Sequence, residues 1–147
     1  MTRAILSAVL AIAFMAGVSA QDKPNFAGTW KPVGSFTLYT VTVEGSKMTV
    51  TRTMAGNSES TVYLLDGTPS VERAEGPNGP TEQVLTSTWE GAVLVTTITN
   101  PASSRVERRS IEADGTMKVQ ITLTMLQGKP APPPPPGAGL QVLKRVK

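Results

Sequence analysis

Phe36-Thr37-Leu38-Tyr39-Thr40-Val41-Thr42-Val43-Glu44-Gly45-Ser46-Lys47-Met48-Thr49-Val50-Thr51-Arg52-Thr53-Met54 alternates in type with a period of two, broken once at Glu44-Gly45. Alternation of that period marks strands with one dry and one wet face, and the spacing predicts strands over 36–43 and 47–54. With Glu44-Gly45 as the turn, Tyr39, Val41 and Val43 share a face with Met48 and Val50. Thr40 and Thr42 meet Thr49 and Lys47 on the other. An antiparallel hairpin is the structure that separates the two sets.

The same grammar runs outward in both directions. Upstream, Gly28 to Pro32 reads as a short first strand that Pro32-Val33-Gly34 breaks. Downstream, a strand over 60–65 ends at Asp66-Gly67, and a short edge segment runs to Arg73. Ala74 to Thr81 contains Gly76-Pro77-Asn78-Gly79-Pro80 and reads as a loop, since proline removes ladder donors. Residues 82–89 and 92–99 form a hairpin about Glu90-Gly91, with Leu85, Trp89, Leu94 and Ile98 on one face and Thr86, Thr88 and Thr97 on the other. Turn signals about every ten residues make this an all-β chain, an antiparallel up-and-down meander of eight to ten strands, closed or nearly closed into a barrel. Its expected interior includes Tyr39, Val41, Met48, Leu85, Trp89, Leu94, Ile98, Val119 and Ile121.

The hairpin of 104–112 and 116–125 carries a sharper consequence. A three-residue loop Ala113-Asp114-Gly115 with Gly115 left-handed pairs Ile111 with Met117 and Ser110 with Lys118. A two-residue turn pairs Ile111 with Lys118 instead. The first register puts Arg105, Glu107 and Arg109 on the face of Val119, Ile121 and Leu123, pointing inward. A slip of one residue turns all three to solvent. Arg52 and Arg108 read as surface charges, and Asp66, Glu90 and Asp114 as turn residues that bond the local backbone.

Residues 127–139 form a Pro/Gly-rich connector around Pro132 to Pro136, a polyproline II segment that is either a stiff spacer or a ligand for a proline-reading domain. Strand character returns over 140–146. Pairing that last strand with the first removes an otherwise open edge.

Residues 1–20 read as a secretory signal peptide: Arg3, an apolar run from Ala4 to Val18, and the small residues of Val18-Ser19-Ala20 before Gln21. The run is too short to span a membrane, and the expectation is an exported, periplasmic or extracellular domain over 21–147 with no transmembrane segment after processing. The chain has no cysteine and no histidine. Thiolate and imidazole metal sites, Ser-His and Cys-His nucleophiles and a histidine base all go with them, so neither a metal, a cofactor nor an enzyme is expected. The net charge is +3, and the positive residues of the meander alternate with glutamates rather than forming a basic run with stacking aromatics, so nucleic acid is not an expected partner.

Asn25-Phe26-Ala27-Gly28-Thr29-Trp30-Lys31 resembles the N-terminal signature of the calycin barrels, the lipocalins, fatty-acid-binding proteins and avidins, whose first strand carries Gly-x-Trp. It is also similar to that of small exported bacterial proteins of lipocalin-like kind. The resemblance implies structural roles for Gly28 and Trp30, and for Arg145 as the late arginine that packs on the tryptophan in lipocalins. It implies a carrier of a small ligand. No Thr-Asp-Tyr turn accompanies it, and two tryptophans are too few for an avidin-type pocket.

A barrel interior either fills with side chains or holds one small ligand. Aromatic residues make up only 5% of the chain, which leaves volume to Val, Leu, Ile and Met. Two readings follow. One is a carrier of an anionic or amphiphilic ligand such as a fatty acid, with Arg105, Glu107, Arg109, Tyr39 and Trp89 as candidate ligand-binding residues and an apolar pocket with a charged rim. The other is an interaction module with a filled core, in which Trp30 and Trp89 are core plugs.

Overall fold

The computed structural model describes residues 22–147, so the signal-peptide expectation for residues 1–20 lies outside the described residues. The strands are β1 Gly28–Pro32, β2 Leu38–Glu44, β3 Lys47–Met54, β4 Asn57–Leu64, β5 Ser70–Gly76, β6 Gly79–Glu90, β7 Val93–Thr99, β8 Ser103–Ile111, β9 Met117–Leu126, the two-residue β10 Lys129–Pro130, and β11 Leu140–Arg145. Ten of them follow the order β4-β3-β2-β1-β11-β9-β8-β7-β6-β5, every described pairing is antiparallel, and β10 pairs with β9 alone. The result is the expected up-and-down barrel, nearly closed.

Faces are as the alternation predicts, while two turns sit one residue later. Val43 pairs with Met48 and Glu44 with Lys47, which makes Gly45-Ser46 the turn. Glu90 likewise pairs with Val93 around Gly91-Ala92. Gly45 and Gly91 both have positive φ and take the first turn position that such hairpins reserve for glycine. The β8–β9 register is the expected one, Ile111 with Met117 and Ser110 with Lys118, with Gly115 left-handed. At the turns, Asp66 accepts the Thr68 N–H, Asp114 accepts the Thr116 hydroxyl and N–H, and these bonds hold both carboxyls below their ordinary range. Glu90 instead ion-pairs with Arg108 at 2.6 Å.

The expected loop from Ala74 to Thr81 is a strand pair: β5 and β6 run to Gly76 opposite Gly79 around Pro77-Asn78. Pro80 fits because its missing N–H lies on the side away from β5, where β7 no longer runs; the β6–β7 ladder ends at Val84 and Thr99. Similarly, the connector over 127–139 contains β10, and the final strand ends at Arg145.

The two ends of the strand order, β4 and β5, meet through side chains rather than a backbone ladder. Ser70 donates its hydroxyl to the Val62 carbonyl at 2.9 Å, and the Val62 N–H donates to the Glu72 carboxylate. Opposite this seam, β11 lies between β1 and β9 and closes the barrel.

The lower end is plugged. Trp30 and Phe26 are fully buried, the Trp30 indole N–H donates to the Phe26 carbonyl at 2.8 Å, and Phe26 stacks on Trp89. Arg145 pairs opposite Trp30, lies 4.3 Å from the ring centroid and donates to the Ala27 carbonyl at 2.6 Å. A Cβ at Gly28, whose φ is +137°, would collide with the Arg145 guanidinium. Gly28→Ala should therefore lower the unfolding midpoint by displacing Arg145, and the same substitution in an Arg145→Ala background should cost less, read by thermal melts of the four proteins.

Candidate functional site

Three inward residues on β8 occupy successive levels of the barrel because side chains on one face of a strand recur every second residue. Arg109 lies in the row of Trp89, Leu94 and Val119 near the plug. Glu107 shares a row with Ser87, Thr96 and Ile121, and Arg105 one with Leu85, Ile98 and Leu123 nearer the upper end. Ser87 and Thr96 hydrogen-bond to each other at 2.8 Å and are fully buried. Above the plug the barrel interior is open.

The space is a cavity of about 730 Å³, within the range of small-molecule sites. Val41, Val50, Met117, Val119, Ile121 and Leu143 form apolar walls, and Tyr39, Tyr63 and Gln83 add polar groups. The mouth is built by the β5–β6 tip and by Asn100-Pro101-Ala102 between β7 and β8. The space is therefore neither a filled core nor an apolar pocket with its charges confined to the rim. A charged cluster of Glu107 and Arg109 sits deep, and Arg105 and Arg52 line the space as well.

The deep cluster is Glu107, Arg109 and Tyr63. The Arg109 guanidinium meets the Glu107 carboxylate at 2.5 Å, with side-chain exposures of 7% and 9% respectively. It also stacks 5.1 Å from the Tyr63 ring centroid, and the Tyr63 hydroxyl donates to Glu107 at 3.4 Å. Burial opposes the Arg109 charge, but Glu107 and Tyr63 outweigh it and hold the guanidinium protonated above its ordinary range. Burial first, and the Glu107 carboxylate second, push the Tyr63 phenol upward, so it stays neutral and donates. Among the described residues the Nε–H of Arg109 has no hydrogen-bond partner. A buried donor left over beside a cavity is a point at which a water or a ligand acceptor is needed.

Arg105 differs from Arg109 in having no ion-pair partner among the described residues, although it lines the cavity. Arg52 is exposed, as expected, and also borders the cavity, where it pairs with Glu59 at 3.9 Å. Tyr39 lines it too, whereas Trp89 does not: it belongs to the plug, with Lys23 5.3 Å from its ring centroid. Two contributors escaped the sequence reading. Tyr63 lies in Thr61-Val62-Tyr63-Leu64-Leu65, where both faces are apolar and alternation gives no side. Arg52 continues the inward row of Met48 and Val50, a signal that was present but outweighed by its charge.

No protein-family model and no curated protein sequence matches the chain. Among solved structures, that of a point mutant of the fluorescent protein UnaG is similar, with a TM-score of 0.56 at 18% identity, covering 83% of this chain and 96% of that one. The fold is calycin-like. That likeness shows the fold alone, and the chemistry of the cavity rests on the side chains described above.

Proposed function

We propose that the protein is an exported, non-enzymatic carrier of a small anionic amphiphile, with a fatty acid the first ligand class to try. The observation that carries this reading is Arg105, which has no ion-pair partner among the described residues and lines a cavity of about 730 Å³ that also offers an apolar wall. An unpaired arginine inside a barrel is expensive to desolvate, and an anionic head group supplies the charge-assisted partner it lacks. The apolar body of the ligand would lie against Val41, Val50, Val119, Ile121 and Leu143. Arg109 and Glu107 neutralise each other and form a polar floor, with the Arg109 Nε–H as a donor to a second ligand acceptor or a water.

Two measurements test the reading. Native mass spectrometry of the protein from its own cells should show an N-terminus at Gln21 together with a bound species, and an empty protein starting at Met1 would remove both export and cargo. In titrations with a fatty acid, Arg105→Met should weaken binding roughly tenfold or more, the loss of one charge-assisted contact. Equal binding by parent and variant would take Arg105 out of the site.

A further inference from the structure

Charge is divided unevenly around the barrel. Residues 23–43 and 116–147 contain no Asp or Glu, and they supply β1, most of β2, β9, β10 and β11, which are neighbours in the sheet. The acids gather instead on the other side, among them Glu59, Glu72, Glu75 and Glu82 of β4, β5 and β6. On the acid-free side, Lys31 and Lys144 stand directly opposite each other on paired strands, both exposed and neither in an ion pair among the described residues. Like charges in that position repel. Lys129 adds a third exposed cation at the upper end of the same side.

The most exposed apolar side chains lie beside these lysines. Phe36 is 94% and Val33 is 68% exposed, both in the loop between β1 and β2 at the upper end, and Lys31 lies 5.9 Å from the Phe36 ring centroid. Leu126 and Leu140, also exposed, flank the connector at the same end. An aromatic tip with aliphatic neighbours and cations, and no acid close by in sequence on these strands, fits a surface that is apolar within and negatively charged outside.

We infer that this edge of the barrel docks on an anionic lipid surface. Phe36 and Val33 enter the headgroup layer, while Lys31, Lys144 and Lys129 lie against the lipid phosphates. The lipid charge relieves the repulsion between Lys31 and Lys144 that the protein itself leaves uncompensated. A second copy packed face to face through the same edge would bring four of these lysines together and make the repulsion worse. The docking does not depend on what the cavity holds, and it sets the β1–β2 loop and the connector, not the acidic β5–β6 tip, against the membrane.

The test uses the full chain carrying Phe36→Trp, because an indole at that site reports its own surroundings whatever the rest of the chain does. Vesicles of equal parts phosphatidylglycerol and phosphatidylcholine should shift the added emission to shorter wavelength, and vesicles of phosphatidylcholine alone should not. Adding Lys31→Glu or Lys144→Glu should each weaken the vesicle titration about fivefold or more, and high salt should abolish the shift. Phe36→Ser in the parent should reduce partitioning about tenfold. An unshifted emission with anionic vesicles, an equal shift with both lipids, or an equal response to soluble polyphosphate would each overturn the inference.

Discussion

Replacing Arg109 by methionine should lower the free energy of unfolding by about 3 to 5 kcal/mol, one of the largest single-residue effects expected in this domain. The reason is the carboxylate left behind. Glu107 is as buried as its partner, its side chain is 9% exposed, and the Tyr63 hydroxyl at 3.4 Å is its only other described hydrogen-bond donor. A stranded charge in that position loses the guanidinium that offset its desolvation. The double variant Glu107→Gln with Arg109→Met removes both charges and should recover most of the loss, because an ion pair exchanged as a unit for uncharged groups is often close to neutral. Urea unfolding followed by tryptophan fluorescence measures the four corners of this cycle. Independent effects that simply add in the double variant would show that the pair is not coupled.

This result also separates two roles that the strand pattern alone merges. Arg105, Glu107 and Arg109 share one face of β8, and alternation treats them alike. Their differences come from depth and from strands distant in sequence. Arg109 reaches Tyr63 on β4 and Met48 on β3, while Arg105 meets no carboxylate among the described residues. Arg109 to methionine is thus a stability experiment, and Arg105 to methionine is the cleaner binding experiment.

The legible part of the fold was the part decided by parity. Val41 falls on the face of Met48 and Val50 whether the turn is Glu44-Gly45 or Gly45-Ser46, because moving a two-residue turn by one shifts the pairing by two and leaves the faces unchanged. The alternation therefore fixes the inside of the barrel while leaving the turn open by one residue. The Ala113-Asp114-Gly115 loop was more informative, since its alternative changes the parity and would point Ile111 at Lys118. The pairing of the last strand with the first was legible from the open edge it removes, whereas the seam that completes closure was not. The seam between β4 and β5 is carried by Ser70 and Glu72 reaching Val62, and no local pattern distinguishes such side chains from ordinary inward polar residues. The Gly76-to-Pro80 stretch misled for a related reason. Proline is excluded from a central position, but whether β6 is central at Pro80 depends on where β7 stops.

Truncation after Gly128 should abolish cooperative folding or leave an aggregating remnant, whereas replacing Pro132 to Pro136 by serine and glycine should leave the unfolding midpoint nearly unchanged. The contrast follows from what each segment touches. β11 is a central strand: Leu140 to Leu143 pair with β9, and Leu143 to Arg145 pair with β1. Its loss would expose two strand edges at once and open the barrel on the side opposite the β4–β5 seam. Buried Leu143 would leave the core, and Arg145 would leave the face of Trp30, a contact that contributes on the order of 0.5 to 2 kcal/mol. The prolines, by comparison, are exposed, and the segment is held at its two ends. The Ala131 N–H donates to the Thr124 carbonyl at 2.9 Å, and the Gly139 carbonyl accepts from Ile121 at 2.9 Å. A flexible run of equal length spans the same two anchors, and its extra chain entropy is small beside the loss of a strand. Size-exclusion chromatography and thermal melts of the two variants read the difference. A truncated chain that melts cooperatively as a monomer near the parent midpoint would mean that β1 and β9 can close the barrel without β11.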